Sequence, residues 1–368
     1  MYIIVTNLVQ LRGHHSTFGL MNFSDELTKW YLKNKRELPW RNTTDAYVIW
    51  LSEIILQQTR VEQGMPYFYR FVEKYPDVRS FAAAAEGDIL HLWQGLGYYS
   101  RGRNMLKTAR HVAEKYDGKF PEVYEELIGL KGIGEYTAAA ISSFAANEAR
   151  AVVDGNVFRV LARYFGIEEP INSAKGKKLF QEIANSLLNK AHPGLHNQAM
   201  MEFGAMLCKP KNPDCAICPI RPGCYAWNNN EISVLPRKLK KVKIRERFLN
   251  YLVLTEGDTI LLNKRDEKDI WANMYDMPMV ETLAYVSPSD IIALPRVREF
   301  FGPDIEIIET YPVKKHVLTH QHLYTQFIHI NSKPIKLEQT WFFIVVNDMK
   351  KLAFPKIITI FINNFFSL

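Results

Sequence analysis

Two carboxylates and a cluster of thiols are the groups in this 368-residue chain whose surroundings suit them for chemistry. Glu53 is the one charge inside the apolar run AYVIWLSEIIL. A carboxylate among such neighbours is costly to ionise unless it is paired. Two readings stand level: Glu53 faces a groove and pairs with an arginine, or it is held protonated as a general acid. Asp154 follows Ala151-Val152-Val153 and precedes Gly155-Asn156, a place for a helix cap or for a reacting carboxylate. Upstream, Gly132-Ile133-Gly134 opens an alanine-rich helix. Glycines free the backbone so that successive N–H groups can converge on an anion, and the helix adds the positive end of its dipole. A tight inter-helix turn would use the same residues. The four cysteines fall as Cys208-x6-Cys215-x2-Cys218-x5-Cys224. Thiolates spaced like this can converge on one tetrahedral centre, either structural zinc or a cubane iron–sulfur cluster.

Helices must carry these groups. Apolar spacing over 23–35, with Ser24 as N-cap, predicts a first helix. The run from Asp45 is apolar nearly all round, which predicts a buried helix. It ends in Gln57-Gln58-Thr59-Arg60, whose amides suit base edges or backbone groups. Further helices are expected over 105–116, 122–129, 135–146, 155–164, 174–189 and 195–208, with no strand before about residue 249. Residues 93–104 gather glycines, tyrosines and arginines in a loop that can stack on bases and hold phosphates. A plain loop with two aromatic anchors would look the same.

The content of 47% hydrophobic and 23% charged residues is that of a soluble globular protein long enough for two domains. It has no run of about 18 apolar residues, so no membrane span is expected. Cysteines confined to one short stretch read as a metal site in a reducing compartment, hence a cytoplasmic protein. The net charge of +7 is uneven: residues 249–368 hold 12 Lys/Arg and 14 Asp/Glu, and the first 248 hold 34 and 25. The basic part is expected to meet an anionic partner, nucleic acid first. Residues 1–20 lack a signal-peptide pattern and read as a dispensable extension before a functional start at Met21. Residues 231–248 read as a basic linker that either tracks a phosphate backbone or is simply solvated. Beyond it the apolar period becomes two. A hairpin is expected over 247–256 and 259–263, with strands over 304–309, 316–319, 324–330 and 340–346. Helices over 289–300 and 356–365 complete a mixed α/β domain over 249–368.

In chain order, LPWR (38–41), SEIILQQTRVEQGMPYFYRF (52–71), GLGYYSRGRN (95–104), LKGIGEYTAAAI (130–141), VVDGNVFRVLAR (152–163) and the four cysteines form one set. With it, residues 21–368 resemble the MutY-type adenine DNA glycosylases of the helix-hairpin-helix superfamily. The resemblance implies a mainly α glycosylase domain over 21–230, with a cluster loop over 208–224, and an α/β Nudix-like lesion-recognition domain over 249–368. It implies a [4Fe–4S] cluster on Cys208, Cys215, Cys218 and Cys224. It also implies a monomer that reaches the nucleoid through DNA.

The implied activity is base-excision repair: hydrolysis of the N-glycosidic bond of adenine opposite 8-oxoguanine or guanine in duplex DNA, after base flipping. Glu53 would be the general acid and Asp154 the stabiliser of the oxocarbenium ion, with Tyr136 and Asn156 hydrogen-bonded around Asp154 and the water. Gly132 and Gly134 would grip a phosphate, Gln58 and Tyr98 would wedge into the stack, and Leu96 would lie near the opposing base. The sister endonuclease III type carries a lysine nucleophile where this chain has Tyr136, and some relatives carry one where it has Phe158. A monofunctional hydrolase is therefore expected ahead of a glycosylase/lyase, and ahead of a non-catalytic DNA-binding or redox-signalling protein. The glutamate-rich Nudix metal box is absent from 249–368, so no pyrophosphatase activity is expected. Leu318-Thr319-His320 stands where relatives use Phe-Ser-His to read 8-oxoguanine, which makes Thr319 and His320 the expected lesion contacts.

Overall fold

The computed structural model describes residues 17–239, 244–266, 269–318 and 320–367. Most of the extension expected over 1–20 lies outside the described residues. The first described helix, α1 (Thr17–Asn34), already takes in residues 17–20. The chain forms two compact units. One runs through Ala82 and resumes at Lys107 as far as the linker; the other joins Ala83–Leu106 to the C-terminal part.

After α1 come α2 (Ala46–Ile55), α3 (Val61–Lys74), α4 (Val78–Ala82), α5 (Glu86–Leu92), α6 (Ser100–Lys115) and α7 (Tyr124–Leu127). They are followed by α8 (Glu135–Ala145), α9 (Gly155–Phe165), α10 (Ala174–Leu187), α11 (Pro193–Met206) and α12 (Tyr225–Asn228). Nothing in the sequence reading anticipates α3 to α5; in α3, Gly64 and Pro66 interrupt the helical pattern, yet Phe68 and Phe71 are buried. Local chemistry explains the other boundaries. The Asp45 carboxylate accepts the Tyr47 N–H at 2.8 Å and starts α2. Ser173 caps α10 by accepting from Gly176 N at 2.8 Å. Gly166 ends α9 at φ +64°, a left-handed turn that glycine tolerates. α2 is buried along nearly its whole length and packs on α8.

The second unit is built on a mixed sheet of β1 (Arg245–Glu256), β2 (Thr259–Lys264), β3 (Tyr275–Asp276), β4 (Met279–Thr282), β5 (Glu306–Val317), β6 (Gln321–Asn331) and β7 (Trp341–Val345). The order is β3-β2-β1-β6-β5, with β4 on β1 and β7 on β2; β1 and β6 run parallel. β1 is apolar on both faces because both are covered. Tyr251 and Val253 pack with Phe327 under α15 (Lys356–Phe366), where Phe327 and Phe361 stack at 3.9 Å. Leu252 and Leu254 pack on the other face under α13 (Pro288–Ala293) and α14 (Pro295–Phe301). The single helix expected over 289–300 is thus two, because Pro295 has no N–H to continue the first.

One expected boundary is corrected, and one stretch within the span 21–230 clusters apart from the rest of it. Ala83–Leu106 groups by its contacts with the sheet unit. Glu86 accepts from Asn273 Nδ2 at 2.7 Å, Gln94 donates to Thr359 Oγ1 at 2.6 Å, and Arg103 donates to the Ala272 carbonyl at 2.8 Å. The basic linker is shorter than 231–248. Leu235 is buried, its carbonyl accepts from Arg163, and Arg237 O accepts from Ile171 N, which ties residues 231–239 to the helical unit. At the other end Arg247 is buried in β1 and is paired with Asp269 and Glu281. Among the described residues no helix is long and apolar enough to cross a membrane.

Candidate active site

A cleft of about 1450 Å3 in the helical unit is lined by Glu53, Tyr136 and Asp154 together with Gln57, Gln58 and Gly134. Small-molecule pockets span roughly 300–1,000 Å3, so this one has room for more than a single base.

Glu53 projects from the last turn of α2 and is 8% exposed. The Tyr136 hydroxyl, from the first turn of α8, donates to its Oε2 at 2.7 Å. Burial pushes the Glu53 carboxyl up to about 7; the hydrogen bond from Tyr136 opposes the shift and the nearby Asp154 charge adds to it. No ion pair to Glu53 occurs among the described residues, so the arginine-paired alternative is not the one adopted. Arg41 acts on it only through its field, because its guanidinium is engaged with Glu202 at 2.7 Å. Tyr136, expected beside Asp154, instead makes its hydrogen bond to Glu53.

Asp154 caps α9. Its Oδ1 accepts from Asn156 N at 2.9 Å and Val157 N at 2.8 Å, and its Oδ2 accepts from Asn156 Nδ2 at 2.7 Å. The cap and the chemistry are therefore not alternatives: one oxygen anchors the helix end, and the group still lines the cleft. Burial pushes the Asp154 carboxyl up, and the three N–H donors pull it back toward the anion.

The extended segment before Asp154 has no sheet to satisfy its backbone, so side chains do so. Val152 N donates to Asn197 Oδ1 at 3.1 Å, Asn197 Nδ2 donates to Arg150 O at 2.8 Å, and Gln181 Nε2 donates to Ala151 O at 2.9 Å. Arg159 completes the setting. Its Nη2 donates to Asn156 Oδ1 at 2.9 Å and Gly204 O at 2.7 Å, and its Nε donates to Cys208 O at 2.7 Å. The Asn156 amide is thereby fixed with nitrogen toward Asp154 and oxygen toward Arg159. Asn197 and Arg159 are absent from the sequence-level site; arginine in the RVLAR stretch is the one available hint.

Gly132 adopts φ +82° and Gly134 forms the N-cap of α8; both are exposed. Thr108 Oγ1 fixes the turn by donating to Lys131 O at 2.6 Å. Gln58 is exposed at φ +58°. Leu96 and Tyr98 lie in the other unit. Tyr98 is exposed at φ +47°, with Arg101 5.8 Å from its ring centre, but Leu96 is buried at 7% exposure. In this conformation Leu96 faces inward rather than toward a base. His320 is exposed between β5 and β6, Leu318 packs on the sheet core, and Thr319 lies outside the described residues.

Cys208, Cys215, Cys218 and Cys224 line one pocket with Val160, Arg163, Tyr164 and Phe203. Arg163 Nη1 reaches Cys208 Sγ at 3.4 Å. The N–H of Ile220 faces the Cys218 sulfur, and those of Ala226 and Trp227 face the Cys224 sulfur. Among the described residues no group of three or more His, Cys, Asp or Glu side chains is set as a single-ion site.

Comparison with known proteins gives this geometry a family. Residues 51–187 match the HhH-GPD superfamily base excision DNA repair protein model, and residues 250–364 match the NUDIX domain model. An adenine DNA glycosylase of Buchnera aphidicola from Acyrthosiphon pisum is 36% identical over 70% of this chain and 73% of its own. The one from the Baizongia pistaciae symbiont is 35% identical over 82% and 84%. A solved thermostable thymine-DNA glycosylase matches 57% of this chain and 97% of its own, with TM-score 0.54 and 28% identity. Similarity of this extent over both units, around a cleft holding two unlike carboxylates, means that the chain belongs to the adenine DNA glycosylases, base-excision repair enzymes of the HhH-GPD superfamily.

Proposed function

We propose that this enzyme removes adenine mispaired with 8-oxoguanine or guanine in duplex DNA and that it acts by hydrolysis alone. The observation that carries the reading is the pair of carboxylates in one cleft: Glu53, able to hold a proton near neutrality, and Asp154, raised by burial but drawn back toward the anion by three N–H donors. That is the division of labour of an acid and a cation stabiliser in glycoside hydrolysis. With the adenine flipped into the cleft, Glu53 donates its proton to N7. The C1′–N9 bond breaks and its electron pair leaves with the base. Asp154 stabilises the sugar oxocarbenium ion, and water adds to C1′ and gives up a proton to regenerate the acid. Tyr136 holds Glu53 in place, and Asn156 holds Asp154. Tyrosine at 136 and phenylalanine at 158 leave no lysine at the two positions where relatives carry one.

The four cysteines fit a [4Fe–4S] cluster. Their thiolate donor set and the N–H groups facing two of the sulfurs suit an iron–sulfur cluster. Bound there, the cluster would tie the loop over 208–224 to itself, against the Val160, Arg163 and Tyr164 side chains of α9. His320, exposed on its hairpin, and Thr319 are the proposed readers of the opposing lesion. The enzyme acts as a monomer on nucleoid DNA. The test is single-turnover release of adenine from 8-oxoguanine:A and G:A duplexes by the native protein, Glu53→Gln and Asp154→Asn. Each substitution should lower the rate at least 100-fold with duplex binding retained. Near-native rates in both would end the proposed mechanism.

A further inference from the structure

One wall of the catalytic cleft carries charge that the chemistry does not use. Lys177, Lys178 and Lys190 line the same cleft as Glu53 and Asp154. All three are exposed, and none makes an ion pair or side-chain hydrogen bond among the described residues. Their position follows from helical geometry. Gln181 on α10 donates to Ala151 O, and Asn185 Oδ1 accepts from Ala151 N at 3.4 Å, which pins that face of α10 beside the Asp154 segment. Lys177 and Lys178 precede Gln181 by four and three residues, so they lie on the same face one turn toward the N-terminus. Lys190 follows the helix. Lys175, in the same turn, provides a contrast: it does not line the cleft, and it is paired with Glu169 at 3.3 Å. Glu182, four residues after Lys178, also lines the cleft, yet no bridge joins the two among the described residues. Three unpaired cations on one side of a solvent-filled cleft repel one another, and at least two crowd the positive end of a helix. A polyanion entering the cleft would relieve both costs.

We propose that Lys177, Lys178 and Lys190 form a phosphate-binding wall that takes the backbone of the strand delivering adenine to Glu53 and Asp154. This rests on the duplex-acting function proposed above. Each lysine neutralises one phosphate as the nucleotide enters, so the wall sets affinity and salt dependence, while base recognition stays with the inner cleft.

The experiment measures the duplex dissociation constant of the full-length protein against salt concentration, on DNA with and without an 8-oxoguanine:A pair. The variants are Lys177→Gln/Lys178→Gln/Lys190→Gln and, as the control, Lys175→Gln. The triple variant should lower the slope of log K against log salt by about 2 to 3, roughly 0.9 per lost contact, on both duplexes. Lys175→Gln should leave the slope and the excision rate unchanged. A triple variant with the native slope, or an equal loss from Lys175→Gln, overturns the wall. Native protein that binds duplex but releases no adenine would instead defeat the function proposed above, and the slopes would still decide the wall.

Discussion

Replacing Glu53 with glutamine tests the electrostatics of the site apart from catalysis. Burial raises the Glu53 carboxyl from 4.5 to about 7. The folded state therefore keeps a proton that the unfolded chain has already lost between those values. Stability associated with this group is fully present below pH 4.5, is lost as pH rises to about 7, and is level above that. At about 1.4 kcal/mol per unit, the loss comes to about 3 kcal/mol. Glutamine carries no charge, and its amide oxygen can still accept from Tyr136, so the variant escapes the loss without losing the contact. Urea midpoints of the native protein and Glu53→Gln, taken from pH 4.5 to pH 8, should diverge in favour of the variant by about 3 kcal/mol. Titrating groups that do not interact with Glu53 cancel in the difference. A difference that stays flat, or that runs the other way, would refute the claim that Glu53 is held as an acid. Excision by the native enzyme should fall over the same window, with its midpoint near 7.

Three further outcomes follow from the surroundings of the site. Arg159→Leu strips Asn156, Gly155 O, Gly204 O and Cys208 O of their donor; it should cost about 4 kcal/mol, at roughly 1 kcal/mol for each of four hydrogen bonds, and lower the excision rate more than DNA affinity. Gly204→Ala would set a Cβ 2.6 Å from Asn156 Cβ, so it should destabilise by about 1–3 kcal/mol in thermal unfolding and slow excision by displacing the Asp154 partner. The purified protein should show the visible charge-transfer absorption of an iron–sulfur centre, and Cys215→Ser should diminish it; a colourless protein holding zinc would refute the cluster assignment.

The residues that could do chemistry were legible in the sequence because their oddity is local. A lone charge in an apolar helix, an Asp ahead of Gly-Asn, a Gly-x-Gly turn and four clustered thiols all stand out over a few positions. The helices carrying Glu53, Tyr136 and Asp154 were legible for the same reason, since caps and periodicity act within a turn or two. What lay beyond that range was not. Tyr136 chooses Glu53 over Asp154 because of how α2 packs on α8, 83 residues apart in sequence. Arg159 links Asn156 to the cysteine loop through a contact 49 residues away. Residues 83–106 join the sheet unit through hydrogen bonds spanning 169 to 265 residues, which no local pattern announces. Composition and spacing thus determined which groups exist and which helices present them. Only the packing of distant segments decided which group each one touches, which side chains satisfy the backbone around Asp154, and how far burial pushes the Glu53 carboxyl up.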